Sequence, residues 1–160
     1  MKIGLFVLIG IVLGYIVKWM VNWLAIDNFI MSRKNFFLEA VGAIIVTWSA
    51  VNLGIEEAII FSIIALTLAG ISVIDFHTFE IPLIFIIIGV VASVAGIFLK
   101  VILLSSAFWG IFVGALIPMA IMLIMWGITK RQGMGYGDIQ LGIVLGAWLG
   151  PMRMALTLFG

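Results

Sequence analysis

The chain has 160 residues, 66% of them hydrophobic and 9% charged, with a mean hydropathy of +1.42 and a formal net charge of +1. Soluble proteins carry about 25% charged residues, so this composition excludes a soluble globular domain and assigns the chain to the bilayer. The small net charge gives no basis for nucleic-acid binding, and the lack of cysteine excludes a disulfide framework, a thiolate zinc site and a cysteine nucleophile.

No Pro/Ser-rich linker or low-complexity tract divides the 160 residues, which read as one integral-membrane domain. Crossing a bilayer core takes about 20 apolar residues, and Ile3 to Leu24 supplies them. Lys18 lies near the end of this run, where its long stem lets the ammonium snorkel to the headgroups beside Trp19 and Trp23. Met1-Lys2 before an apolar run also resembles a signal peptide. The run is long, however, and no clear small-x-small cleavage site follows, so a retained helix is expected. The connector Ala25 to Asn35, with Asp27, Arg33 and Lys34, is the first polar stretch.

A second span is expected from Phe36 to Leu53, then a short turn through Asn52, Gly54, Glu56 and Glu57, then a third span from Ala58 to Ile74. The positive-inside bias puts Arg33 and Lys34 in the cytoplasm and Glu56 and Glu57 outside, which returns Asp75 to the cytoplasmic face. Asp75 to Pro82 reads as a cytoplasmic connector, with Pro82 placed to open the next helix. Span four runs from Leu83 to Leu99. Span five, Val101 to Ile128, is long for one crossing, and an interfacial piece around Ser105 and Ser106 or a kink at Pro118 would take up the excess. Lys130 and Arg131 mark the cytoplasmic side again, so Asp138 shares the face of Asp75. Span six starts at Ile139, meets Pro151 and reads as unfinished at Gly160. The expected fold is therefore all-α, a polytopic bundle of about six segments in the cell's inner (cytoplasmic) membrane, with its site facing the cytoplasm.

Gly142, Gly146 and Gly150 recur every fourth residue in span six, as do Gly10 and Gly14 in span one and Gly110 and Gly114 in span five. Three in register predict a close-packing face on span six. The shorter pairs alone commit to nothing.

The chemistry centres on Gly133-Met-Gly-Tyr-Gly-Asp138-Ile-Gln140, a glycine-rich loop with a carboxylate at the mouth of an apolar run. Such a string alone is a turn with a helix cap. A second carboxylate, Asp75, at the end of another apolar run gives it weight. An ionised Asp at membrane depth costs about 2.5 to 3.5 kcal/mol by insertion scales, so it faces a bundle interior or a watered cavity. Two such acids on one face are what aspartic proteolysis requires. Carboxylates sharing a site repel, leaving one ionised and one protonated. The ionised member draws a proton from the water that attacks a peptide carbonyl, and its partner donates to the developing oxyanion, with no metal or cofactor needed. Gly135 and Gly137 permit positive φ and remove side-chain bulk, so an extended substrate strand can lie close to Asp138.

The strings Asp75-x6-Pro82 and Gly-Met-Gly-Tyr-Gly-Asp138-Ile-Gln-Leu, followed by Leu-Gly-Ala-Trp-Leu-Gly150, resemble the two signature regions of the type IV prepilin peptidases, membrane aspartic proteases of the GxGD class. Arg33 to Gly42, with Leu38-Glu39, is similar to the segment preceding that family's second helix. The resemblance implies Asp75 and Asp138 as the catalytic pair and Gly135 and Gly137 as the loop glycines. It implies removal of a short basic leader from type IV prepilins and from the pseudopilins of type II secretion and competence, the substrate's hydrophobic helix staying in the bilayer. Members that also N-methylate the new terminus carry a cysteine-rich, zinc-binding insert between the first two helices. Here the connector is short and cysteine-free, so the resemblance implies peptidase activity in a short form. Gln140 stands where the family commonly has Lys, and Leu83 where an acid or amide often follows the proline, departures that bear on activity and substrate preference.

His77, the only histidine, lacks cysteine partners and reads as a polar loop residue. Glu80 is a candidate contact for a basic leader, its plainer reading being a solvated connector carboxylate. Two readings from other classes stay open. A proton- or cation-coupled transporter would use the same acids, and inverted repeats or acids at the bilayer midplane would favour it, though neither is evident. A catalytically degenerate assembly factor would keep the fold without the reaction.

Overall fold

The computed structural model describes residues 2–130 and 135–159. Among these residues six α-helices follow in order: α1 (Lys2–Leu24), α2 (Phe37–Asn52), α3 (Ile55–Thr78), α4 (Leu83–Phe98), α5 (Leu104–Thr129) and α6 (Tyr136–Phe159). A single 3-10 turn, Ile26–Asn28, sits in the connector between α1 and α2. The described residues contain no strand, and the expected all-α bundle is what forms. Among the described residues four helices, α1, α3, α5 and α6, are long and apolar enough to cross a membrane. The other two have 16 residues each, about 24 Å at helical rise. This is a multi-pass membrane protein, and helix is its rule because hydrocarbon offers backbone groups no other partner.

Four boundaries differ from expectation. At its start α3 opens at Ile55 rather than Ala58, taking Glu56 and Glu57 into its first turn. Beyond Ile74, α3 continues for a full turn to Thr78, so Asp75 and His77 are helical and the connector shrinks to 79–82. Within this polar turn His77 Nδ1 lies 2.8 Å from Val73 O, and Thr78 Oγ1 donates to Ile74 O at 3.0 Å. Phe79 then takes a left-handed conformation (φ 55, ψ 30), its N–H donating to Asp75 O at 2.9 Å, and Pro82 follows as a stop. At the other end of α4, 99–103 form a turn with Lys100 at φ 60, so α5 opens at Leu104 rather than Val101. Ser105 and Ser106 lie in its first turn, and the helix runs on through Pro118. Finally, α6 begins at Tyr136, taking Asp138 inside, and continues past Pro151 to Phe159. Its break is at Gly150 (φ 74, ψ 173), because a residue preceding proline is driven out of the helical region and only glycine enters positive φ freely.

The chain divides into two compact units, 1–92 and 93–160, with the boundary inside α4. In the first, α1 packs on α2 with bare backbones in contact. A Cβ on Gly10 or Gly42 would overlap the other's carbonyl oxygen, and one on Gly14 would overlap that of Leu38. The fully buried side chains Val21, Leu38, Ile64 and Ile74 form the core, and Phe85 packs over Gly70. Between α2 and α3, Ser49 and Ser62 share a buried hydroxyl contact of 2.9 Å. In the second unit α5 and α6 meet along Gly110, Gly114, Gly142 and Gly146, with buried Pro118 against Gly142 and Ser106 Oγ against Gly150. The three-glycine register of span six thus forms the close-packed seam expected of it.

Candidate active site

Tyr136 opens α6, and Asp138 stands in its first turn, half-buried. Its Oδ2 accepts a hydrogen bond from the Gly135 N–H at 3.0 Å, and its own N–H donates to Gly135 O at 3.2 Å. The first turn of a helix leaves N–H groups unpaired, and an acid reaching back to the capping residue pairs one while its charge suits the dipole's positive end. Gly137 has helical backbone, so its use there is a missing side chain, not a left-handed φ. A Cβ on Gly135 would meet Asp138 Oδ2 at 3.6 Å, an ordinary contact. The readings placed on Gly133, Met134 and Arg131 fall outside the described residues.

Asp75 occupies the last turn of α3 and is exposed. A negative charge here opposes the helix dipole. Among the described residues its carboxylate has no hydrogen-bond or ion-pair partner, so Asp75 contributes nothing evident to its own helix. Phe76 and Phe79 beside it are exposed, as are Glu80 and Leu83. Asp138 therefore has a structural use, and Asp75 has none among the described residues. The two acids lie in different units, Asp75 in 1–92 and Asp138 in 93–160. Among the described residues no group of three His, Asp or Glu side chains stands together as a metal site.

Behind Asp75 is a set of contacts that sequence reading missed. Lys18 does not snorkel: it is 4% exposed, and its Nζ donates to Glu39 Oε1 at 2.9 Å, to Arg33 O at 3.4 Å and to Asn35 O. Asn22 grips the same connector at Met31, its Oδ1 accepting the backbone N–H at 2.7 Å and its Nδ2 donating to the carbonyl at 3.4 Å. Phe29 then stacks on His77, ring centroids 4.1 Å apart, two residues from Asp75. The connector is thereby fastened to α1, α2 and the end of α3. Opposite charges embedded in consecutive apolar runs, Lys18 and Glu39, were the available signal.

Residues 59–160 match the type IV leader peptidase family. The chain belongs to that family. A stretch of 71 residues is also 35% identical to the prepilin leader peptidase/N-methyltransferase of Stutzerimonas stutzeri, covering 44% of this chain and 24% of that relative. The match thus spans about a quarter of the curated relative's length. No solved structure matches significantly. Within the leader peptidase match lie Asp75, Glu80, Gly135, Gly137 and Asp138, whereas Lys18, Glu39 and the connector precede it.

Proposed function

We propose that this protein is a membrane aspartic endopeptidase that removes the short basic leader from type IV prepilin-like or pseudopilin precursors at the cytoplasmic membrane face. The observation carrying this reading is the family match over residues 59–160, which includes both Asp75 and Asp138. The ionised acid of the pair takes a proton from water as it attacks the scissile carbonyl, while the protonated acid donates to the oxyanion; the first acid then passes its proton to the leaving amine as the C–N bond breaks, and the second regains its own from the gem-diol. Gly135 and Gly137 leave the approach to Asp138 free of side chains, and Glu80 offers a carboxylate to the basic leader. Residues 1–160 would act as a single peptidase domain. The connector here is short and cysteine-free, so the proposal is for the peptidase step alone. The cytoplasmic orientation is supported by Arg33, Lys34, Lys130 and Arg131 flanking one set of helix ends and Glu56 and Glu57 the other.

The test is leader removal from a prepilin-like precursor by the purified full chain in lipid nanodiscs. Asp75→Asn and Asp138→Asn should each lower the rate by about 10²- to 10⁴-fold, the usual loss for a general acid or base. Unchanged cleavage in both variants would exclude the pair.

A further inference from the structure

Asp75 lies in the last turn of α3, and a terminal helical turn frays unless something outside the helix holds it. What lies against this turn is the connector between α1 and α2. Phe29 stacks on the His77 ring, with centroids 4.1 Å apart and planes 25° from parallel. The imidazole is set for this contact by its own helix: Nδ1 lies 2.8 Å from Val73 O, and the Phe76 ring stands edge-on to it at 5.3 Å. At 3.6 residues per turn, side chains two positions apart point about 200° from one another, so the stack takes the side of α3 opposite the Asp75 carboxylate. The acid itself stays exposed.

Phe29 is held from both directions along the chain. Before it, the Ile26–Asn28 turn closes with the Phe29 N–H donating to Ile26 O at 2.8 Å; after it, Asn22 grips Met31 by both backbone groups. Further on, Lys18, paired with Glu39, bonds the Arg33 and Asn35 carbonyls. The connector also carries left-handed backbone at Ala25, Asp27 and Asn28, with φ of 41, 50 and 61. Residues with a Cβ keep such a conformation where the surrounding contacts over-determine it. We propose that Phe29 and His77 are positioning residues for the peptidase step, the connector holding the last turn of α3 so that Asp75 meets the substrate in one fixed orientation. This role rests on the peptidase reading of Asp75. Neither ring touches the reacting atoms, and both act through the helix that bears the acid.

Leader removal by the full chain in lipid nanodiscs reads this role, with hydrogen–deuterium exchange on the same samples. Phe29→Ala should lower kcat about tenfold and leave KM within about twofold, because a displaced acid loses alignment in the transition state rather than substrate binding. His77→Ala should do the same. The conservative variants Phe29→Tyr and His77→Phe keep a ring on each side of the stack and should recover most of the rate. Ile30→Ala, at an exposed neighbour on the same connector, should leave it unchanged. The backbone amides of residues 77–79 should exchange about three- to tenfold faster in Phe29→Ala, the range that loss of an aromatic pair accounts for. Unaltered exchange there, or a His77→Phe chain as slow as His77→Ala, would overturn the contact's positioning role. Cleavage abolished by Asp75→Asn yet untouched by Phe29→Ala would overturn that role alone, whereas a wild-type chain that cleaves no prepilin-like precursor would remove the peptidase reading and the role together.

Discussion

At the scale of single residues, the two acids have opposite relations to their helices, and substitution should separate structure from chemistry. Asp138→Asn keeps an oxygen for the Gly135 N–H, so it should cost under about 1 kcal/mol of stability. Asp75→Asn removes a charge that opposes the α3 dipole and should leave stability unchanged or raise it by about 0.3–1 kcal/mol. Both variants should nonetheless be inactive, with thermal unfolding in detergent measured beside cleavage. A protein merely losing its fold would not give that combination. Lys18 behaves differently. Lys18→Met leaves Glu39 buried and unpaired and should destabilise by about 3–5 kcal/mol. Adding Glu39→Met should recover only part of that, because the Arg33 and Asn35 carbonyls still lack their donor. The prominence of Asp75 and Asp138 was legible in the sequence because acids are scarce in it. The pairing of Lys18 with Glu39 was signalled only by two opposite charges inside apolar runs, since such a run gives the position of a lysine along a helix but not the neighbour it faces.

At the scale of elements, helix packing in this chain is governed by where side chains are missing. The α5–α6 seam was legible because Gly142, Gly146 and Gly150 repeat in register, although Gly150 also serves the break before Pro151. The α1–α2 seam was not, because α2 contributes Gly42 to it without a repeat of its own. Gly146→Leu would drive a side chain into the Gly110 carbonyl and should cost about 1–3 kcal/mol or more, visible as a lowered midpoint of thermal unfolding. Gly127→Ala is the matched control. Nothing lies within 4 Å of a Cβ there, so restricting the unfolded chain should stabilise by about 0.4–1 kcal/mol. The missed last turn of α3 has a different origin. Hydropathy falls at Asp75 where the apolar run ends, but a helix ends where its backbone hydrogen bonds end, and these run on to the Phe79 N–H, which donates to Asp75 O.

At the scale of the whole molecule, the peptidase reading requires the end of α3 and the start of α6 to lie on one membrane face, although 62 positions of chain separate Asp75 from Asp138 (138 − 75 − 1). Membrane crossing sets this by parity. On the proposed topology α4 and α5 each cross between the two acids, and two crossings would return the chain to the side it left. The short α4 is the weak step in that count, because 16 residues rise about 24 Å against a hydrocarbon core of about 30 Å. Were α4 to dip in and return on its own side, Asp75 and Asp138 would face opposite compartments. The natural absence of cysteine makes the question clean to ask with single introduced thiols at exposed positions. In intact cells a membrane-impermeant maleimide should label Glu57→Cys and spare Lys34→Cys and Lys130→Cys, both of which should react once the membrane is permeabilised. Labelling of Lys130→Cys from outside with Lys34→Cys still protected would place the two acids across the bilayer from each other, where no shared water could serve them.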